Sequence, residues 1–431
     1  MRLRPGSFPR SLLLGALALT SVLTSAPTVQ AAPVATGCLD RTITGTVEEQ
    51  RLDNGIAGGP SVPAEILRRS GFDRQVELFG RLLCVMPSRE AVRLFVRAQG
   101  EALWRTATFR AQHPVDTSTG ALPASDDRGL YWARISMALT LRQWQPRFGV
   151  SAADRAELMR SLEYSSRGIT GTRFSPGVKK IVVTGFDPFT LDADIRIGNP
   201  SGANALSLDG QRWTVNGTTY QIQTVVFPVR YTDFDANMVE DALAPHYRPG
   251  PQHADFVMTA SQGRTGIFDL EVFNGRRRST SSIGDNNNLW GGGSATAPVV
   301  SPSMPPGPEW LTASLPFARM AQADVAPFRT RVNTSVLEIP AGQTTPVRQP
   351  HGPTTGSIAS EGAGGGYLSN EVAYRNTLQR DLLDPSMPAG HLHVPVLSFD
   401  PANKTLITDP TYEANRTAIL RGAHNTLRAA L

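Results

Sequence analysis

The hydrophobic period of this chain changes once, across Gly171 to Gly177, and that change limits the folds open to it. Upstream, apolar residues recur at three- and four-residue spacings, the signature of amphipathic helices. Ile66, Leu67, Val76, Leu78, Phe79, Leu82 and Leu83 follow this rule, and Val92, Leu94, Phe95 and Val96 continue it. Further periodic stretches run from Tyr131 to Trp144 and from Ala152 to Tyr164. They predict a small helical domain over about 62–170, with Trp104, Trp132 and Trp144 in its core.

Downstream the pattern is of short apolar runs and turns. Ile181 to Thr184 predicts a buried strand that ends in the turn Gly185-Phe186-Asp187-Pro188-Phe189. Asn199 and Pro200 then suit the cap and first position of a helix carrying Ala203 to Leu208. Asn216-Gly217 predicts a tight hairpin between Trp213 and Tyr220 to Phe227. Thr232 to Asp235 reads as a capping box for a helix through Ala244, and Asp255 to Thr259 as another strand. Ala313 to Ala321 reads as helix, His393 to Phe399 as strand, and Glu413 to Leu427 as the closing helix. Alternating strands and helices predict an α/β fold, a doubly wound, three-layer, mainly parallel sheet preceded by the helical domain. The expected division is 1–31 signal peptide, 32–175 helical accessory domain and 178–431 α/β domain.

Composition narrows the function classes. In 431 residues, 40% hydrophobic and 18% charged, there is material for two cored domains. The net charge is only +5, and its densest cluster, Arg276-Arg277-Arg278, reads as a solvated loop rather than a nucleic-acid surface. Arg2, Arg4 and Arg10 precede the apolar run Leu12 to Leu23, with small residues ending at Ala31, which predicts an exported protein. No later segment is long enough to predict a membrane span. Cys38 and Cys84 are the two cysteines, and outside the cell such a pair is most simply a disulfide. Ala35-Thr36-Gly37-Cys38 also reads as a lipidation box, although the apolar run ends well before it.

Candidate chemistry gathers near the C-terminus. Gly362, Gly364, Gly365 and Gly366 precede Ser369, which stands where a helix would begin. Two roles fit it: helix N-cap, the commonest for serine there, and a nucleophile whose oxyanion meets the exposed helix amides. His391 and His393 share one side of a strand, but no third ligand of matching spacing makes them a metal site.

Taken in order, TGFDPF (184–189), NPS (199–201), SQGR (261–264), IGDN (283–286), YLSN (367–370) and GHLHVP (390–395) resemble the landmarks of the pyroglutamyl peptidase I family over about 178–430. The resemblance implies a catalytic set of Glu271, Ser369 and His393, in which Glu271 orients His393 as general base. It implies an apolar slot for a pyrrolidone ring lined by Phe186, Phe189, Tyr367 and Leu368, with Gln262 beside it. It implies a peptide substrate with an N-terminal pyroglutamate, and no cofactor. The departures are Thr190-Leu191 in place of a glycine pair, Glu371 in place of a histidine, and Ser369 where the family has cysteine. A hydroxyl must lose its proton during attack, whereas a thiol ionises near pH ~8.5, so the geometry of the base matters more here. Two functions therefore stand: a secreted serine peptidase removing pyroglutamate, and an inactive homologue that binds pyroglutamyl peptides or a protein partner.

Overall fold

Serine caps open three of the five longer helices of the N-terminal region. Ser61, Ser88 and Ser151 each accept a hydrogen bond from the amide three residues on, starting Val62–Ser70, Arg89–Gln112 and Ala152–Ser165. Asp73–Cys84 and Arg128–Gln143 complete the set in this computed structural model, which describes residues 37–280 and 284–431. Their apolar faces enclose one core in which Trp104, Trp132 and Trp144 are buried. Cys38 and Cys84 form a disulfide that ties the entry segment to the end of a helix and leaves no thiol for a lipid. The expected signal segment lies outside the described residues.

The second region is built on a seven-stranded sheet: β1 Lys179–Phe186, β2 Arg212–Val215, β3 Thr218–Phe227, β4 Phe256–Gln262, β5 Ile267–Glu271, β6 Arg329–Asn333 and β7 Ala389–Val394. The spatial order is β6-β5-β7-β4-β1-β3-β2. β1 runs parallel to β3 and β4, β4 to β7, and β5 to β6. The β7–β5 and β2–β3 pairs are antiparallel, so the sheet is mixed. Ile181, Val183, Met258 and Leu392 face a core closed by the helix Pro410–Ala430. Val182, Val225 and Val257 face the opposite core, with Leu368 and Val372 of the helix Leu368–Leu383. Helices thus cover both faces, the three-layer α/β arrangement expected.

Several local expectations hold for the reasons given. Asn199 caps Pro200–Leu208 by accepting from the Ser201 amide. Asn216 and Gly217 both take positive φ, 49° and 77°, as the primed hairpin turn requires. Others fail. Thr232 caps nothing: it lies inside the short helix Tyr231–Asp235, and Asn237 at φ 63° breaks the chain before Met238–Tyr247. Of the stretch 313–321 only Phe317–Met320 is helical, because Trp310–Thr312 before it pairs as a strand with Phe273–Gly275. The last strand ends at Val394 rather than continuing to Phe399. Arg276 to Arg278 do not form a solvated loop. Arg277–Arg278 is a short strand, Arg277 pairs with Glu309, and buried Arg278 pairs with Asp235 and Glu371.

The helical region and the sheet belong to one compact unit, Thr36–Leu431. The pieces are joined by buried ion pairs. Asp187, from the turn that ends β1, is held by Arg134 at 2.8 Å and Arg167 at 2.6 Å, with both guanidiniums fully buried. Arg167 also pairs with Glu163, and Arg230 reaches both Glu163 and Glu48. Removing one partner of such a cluster leaves uncompensated buried charge, so Asp187→Ala should lower unfolding stability by about 3–5 kcal/mol. Urea denaturation measures this, and a loss below about 1 kcal/mol would show that Arg134 and Arg167 are satisfied elsewhere.

Candidate active site

β1 sends its chain to β3 on one side, and the following crossover returns to β4 on the other. In an open α/β sheet such a reversal opens a crevice beyond the carboxyl ends of the strands. A cavity of about 30 Å³ lies there, lined by Phe186, Phe189, Asn199, Val229, Ser261, Gln262, Tyr367, Leu368 and Ser369. The four residues expected to line the ring slot, and Gln262 expected beside it, are among them, together with the expected nucleophile. At ~10–15 Å³ for each water centre, the space admits about two water-sized groups. A five-membered ring therefore enters only if the slot widens, and half-buried Phe189 and Tyr367 are its more exposed aromatic walls. The Tyr367 hydroxyl is buried without a partner among the described residues, and burial raises its pKa.

Glu271 and His393 meet because β5 runs antiparallel to β7. His391 lies opposite Glu271 in that register, and His393 is two residues further along the same side. The His393 Nδ1 is 2.7 Å from Glu271 Oε1, with the carboxylate fully buried. The second Glu271 oxygen accepts from Asn333 Nδ2 at 2.8 Å, and the same amide donates to the Ala363 carbonyl. Asn333 thus ties the carboxylate to the glycine loop. Sequence reading missed it, and its only signal is its position at the end of a short strand.

Ser369 occupies the second position of the helix Leu368–Leu383, so it is not the N-cap; Tyr367 holds that place and supplies no side-chain cap. The Ser369 hydroxyl donates to the Gly364 carbonyl at 3.0 Å. Gly364 in turn lies against the imidazole: a Cβ there would sit 3.3 Å from His393 Cε1. The serine and histidine therefore flank one glycine without a hydrogen bond between them. The amides of Leu368 and Ser369 are among the first of the helix and have no backbone acceptor among the described residues. Amides at such a position can bind a developing oxyanion.

Glu371, in the same helical turn, does not leave a bare negative charge beside the site. Arg278 contacts it at 2.5 Å and Arg375 at 2.9 Å, all three being buried. His391 is wholly buried, and burial, then the neighbouring His393, pushes its pKa well below the usual histidine value. Among the described residues no group of three His, Cys, Asp or Glu side chains is placed to hold a metal ion. No helix in those residues is long and apolar enough to cross a membrane.

Residues 29–163 match the family described as the PA0049 N-terminal domain, and residues 180–290 and 303–398 match the PA0049 C-terminal domain. The protein PA0049 of Pseudomonas aeruginosa is 33% identical to this chain, over 86% of each. The chain belongs to the PA0049 family. Solved structures similar to this PA0049-family chain include pyroglutamyl peptidase I of Bacillus amyloliquefaciens, at 17% identity and a TM-score of 0.38, covering 59% of this chain and 98% of that one. Pyrrolidone carboxyl peptidase of Thermococcus litoralis is 17% identical with a TM-score of 0.37, covering 58% and 94%.

Asn199 of the cavity lining is bonded to a pH-sensitive group. Asn199 donates its amide to Asp127 Oδ2 at 2.8 Å, and burial, then the adjacent Asp126, pushes the Asp127 carboxyl up to about 7. Arg128 and Arg416 face the same cluster and oppose that rise. The folded chain therefore holds a proton that the unfolded chain releases near 3.8. Stability from this group is complete below about pH 4 and is lost as pH rises through about 7. Asp127→Asn removes that loss. Denaturation curves from pH 4 to 8 should show the variant gaining on wild type as pH rises, and parallel curves would exclude a protonated Asp127.

Proposed function

We propose that this PA0049-family protein is a pyroglutamyl-peptidase-like hydrolase that removes an N-terminal pyroglutamate through Ser369, His393 and Glu271. One observation carries the reading: the 2.7 Å Glu271–His393 bond stands beside a cavity lined by Ser369 and by Phe186, Phe189, Gln262, Tyr367 and Leu368. In the reaction the Ser369 hydroxyl turns from the Gly364 carbonyl to His393 Nε2. The oxygen attacks the carbonyl carbon of the pyroglutamyl amide as its proton passes to the imidazole. Glu271 fixes the tautomer that leaves Nε2 free and stabilises the imidazolium. The amides of Leu368 and Ser369 receive the oxyanion. The C–N bond then breaks, His393 gives its proton to the leaving amine, and water repeats the sequence on the acyl-enzyme. Export through the N-terminal segment belongs to the same reading, and the Cys38–Cys84 disulfide suits an oxidising compartment.

A second reading, a homologue that binds pyroglutamyl peptides without turnover, is favoured by the Ser369 hydroxyl already being bonded to Gly364. A fluorogenic pyroglutamyl amide separates the two. If the first holds, purified wild type turns it over, Ser369→Ala abolishes turnover, and Glu271→Gln lowers kcat by about 10²–10⁴-fold with KM little changed. Saturable binding without turnover by wild type, together with turnover by Ser369→Cys, would leave the binding reading.

A further inference from the structure

The serine that lines the cavity beside Ser369 is built into a hydrogen-bond chain whose direction can be read. Ser261 Oγ is 2.8 Å from His391 Nε2, and His391 Nδ1 is 2.8 Å from Thr259 Oγ1. Thr259 Oγ1 in turn lies 3.2 Å from the Gly390 carbonyl. That carbonyl only accepts, so the threonine proton goes to it. Thr259 then accepts from His391 Nδ1–H, which leaves Nε2 as an acceptor for the Ser261 proton. With the opposite polarity the Ser261 O–H has no acceptor among the described residues, and Ser261 is only 4% exposed. Burial disfavours a doubly protonated His391, which could donate at both ends.

The consequence is chemical. Ser261 has its only proton committed to His391, so what remains on its oxygen is lone pairs. Ser261 pairs with His393 in the β4–β7 register, so its side chain rises on the same face of the sheet as the Glu271–His393 pair. Of the other cavity walls, Phe186, Phe189, Val229 and Leu368 offer nothing to a polar ring atom, the side chains of Asn199 and Ser369 are already hydrogen-bonded within the chain, and Gln262 and Tyr367 are the remaining polar walls. We infer that Ser261 is a specificity-determining residue that accepts a hydrogen bond from a ring N–H, and so selects a lactam over rings that lack that donor. This rests on the pyroglutamyl reading for the identity of the ring, whereas the acceptor-only character of Ser261 does not.

The test is a chemical-shift titration of the full chain with 2-pyrrolidone and with cyclopentanone, in which CH₂ replaces N–H. Wild type should bind 2-pyrrolidone about tenfold more tightly, the scale of one buried hydrogen bond. Ser261→Ala should bring the two ligands to near-equal affinity, and Ser261→Cys, a weaker acceptor of similar shape, should cut the preference as well. Equal affinity in wild type, no binding of either ligand, or a preference kept in both variants overturns the inference. A wild type that prefers 2-pyrrolidone but never cleaves a pyroglutamyl amide leaves the inference standing and sinks the hydrolytic reading. Cleavage by wild type with the preference kept in both variants does the reverse.

Discussion

The buried carboxylate of Asp187 is where the two halves of this molecule become one. It sits in the turn that ends β1, between Phe186 and Phe189, and its charge is met by Arg134 and Arg167 from the helical region. Its backbone is pinned as well: its amide donates to the Phe227 carbonyl, and its carbonyl accepts from Asn199 Nδ2. Burying such a charge is tolerable only with close, well-oriented counter-charges. The helices are therefore more than an appendage. They supply the cations that let an acidic turn lie at the mouth of the sheet, and that turn carries two aromatic walls of the cavity.

From there the site is assembled by topology. The β1/β4 reversal makes the crevice, the antiparallel β7–β5 pair sets Glu271 against His393, and the glycine loop brings the start of the helix Leu368–Leu383 over both. Asn333 bridges Glu271 and Ala363, so one side chain holds both the carboxylate and the loop. Glycine is required where these parts touch. A Cβ on Gly263 would lie 2.6 Å from His393 Cβ, so no other residue fits beside that histidine without displacing it.

What was legible in the sequence was local. Asn199-Pro200, Asn216-Gly217 and the apolar periodicity of the N-terminal helices declare themselves because the residues that make the feature sit inside it. The order of the motifs also pointed to Glu271, Ser369 and His393, of which the structure brings Glu271 and His393 to 2.7 Å and sets Ser369 in the cavity lining. The illegible parts depend on partners far along the chain. Arg276 to Arg278 look like solvated charge until Glu309, Asp235 and Glu371 are brought to them. The helix expected after Thr232 fails at Asn237, whose left-handed backbone the periodicity does not register. Asn333 orients Glu271 across 62 residues, and no spacing rule connects them.

The two serines of the cavity show why a hydroxyl and an imidazole do not by themselves make a nucleophile. Ser261 Oγ is 2.8 Å from His391 Nε2, a shorter contact than Ser369 makes with Gly364. Yet the far nitrogen of His391 meets only the neutral hydroxyl of Thr259, and burial keeps that ring from accepting a charge. An imidazolium is disfavoured there. His393 is backed by the Glu271 carboxylate, which compensates an imidazolium as it forms. The Ser369 hydroxyl is bonded to the carbonyl of Gly364, the glycine that lies against the His393 ring.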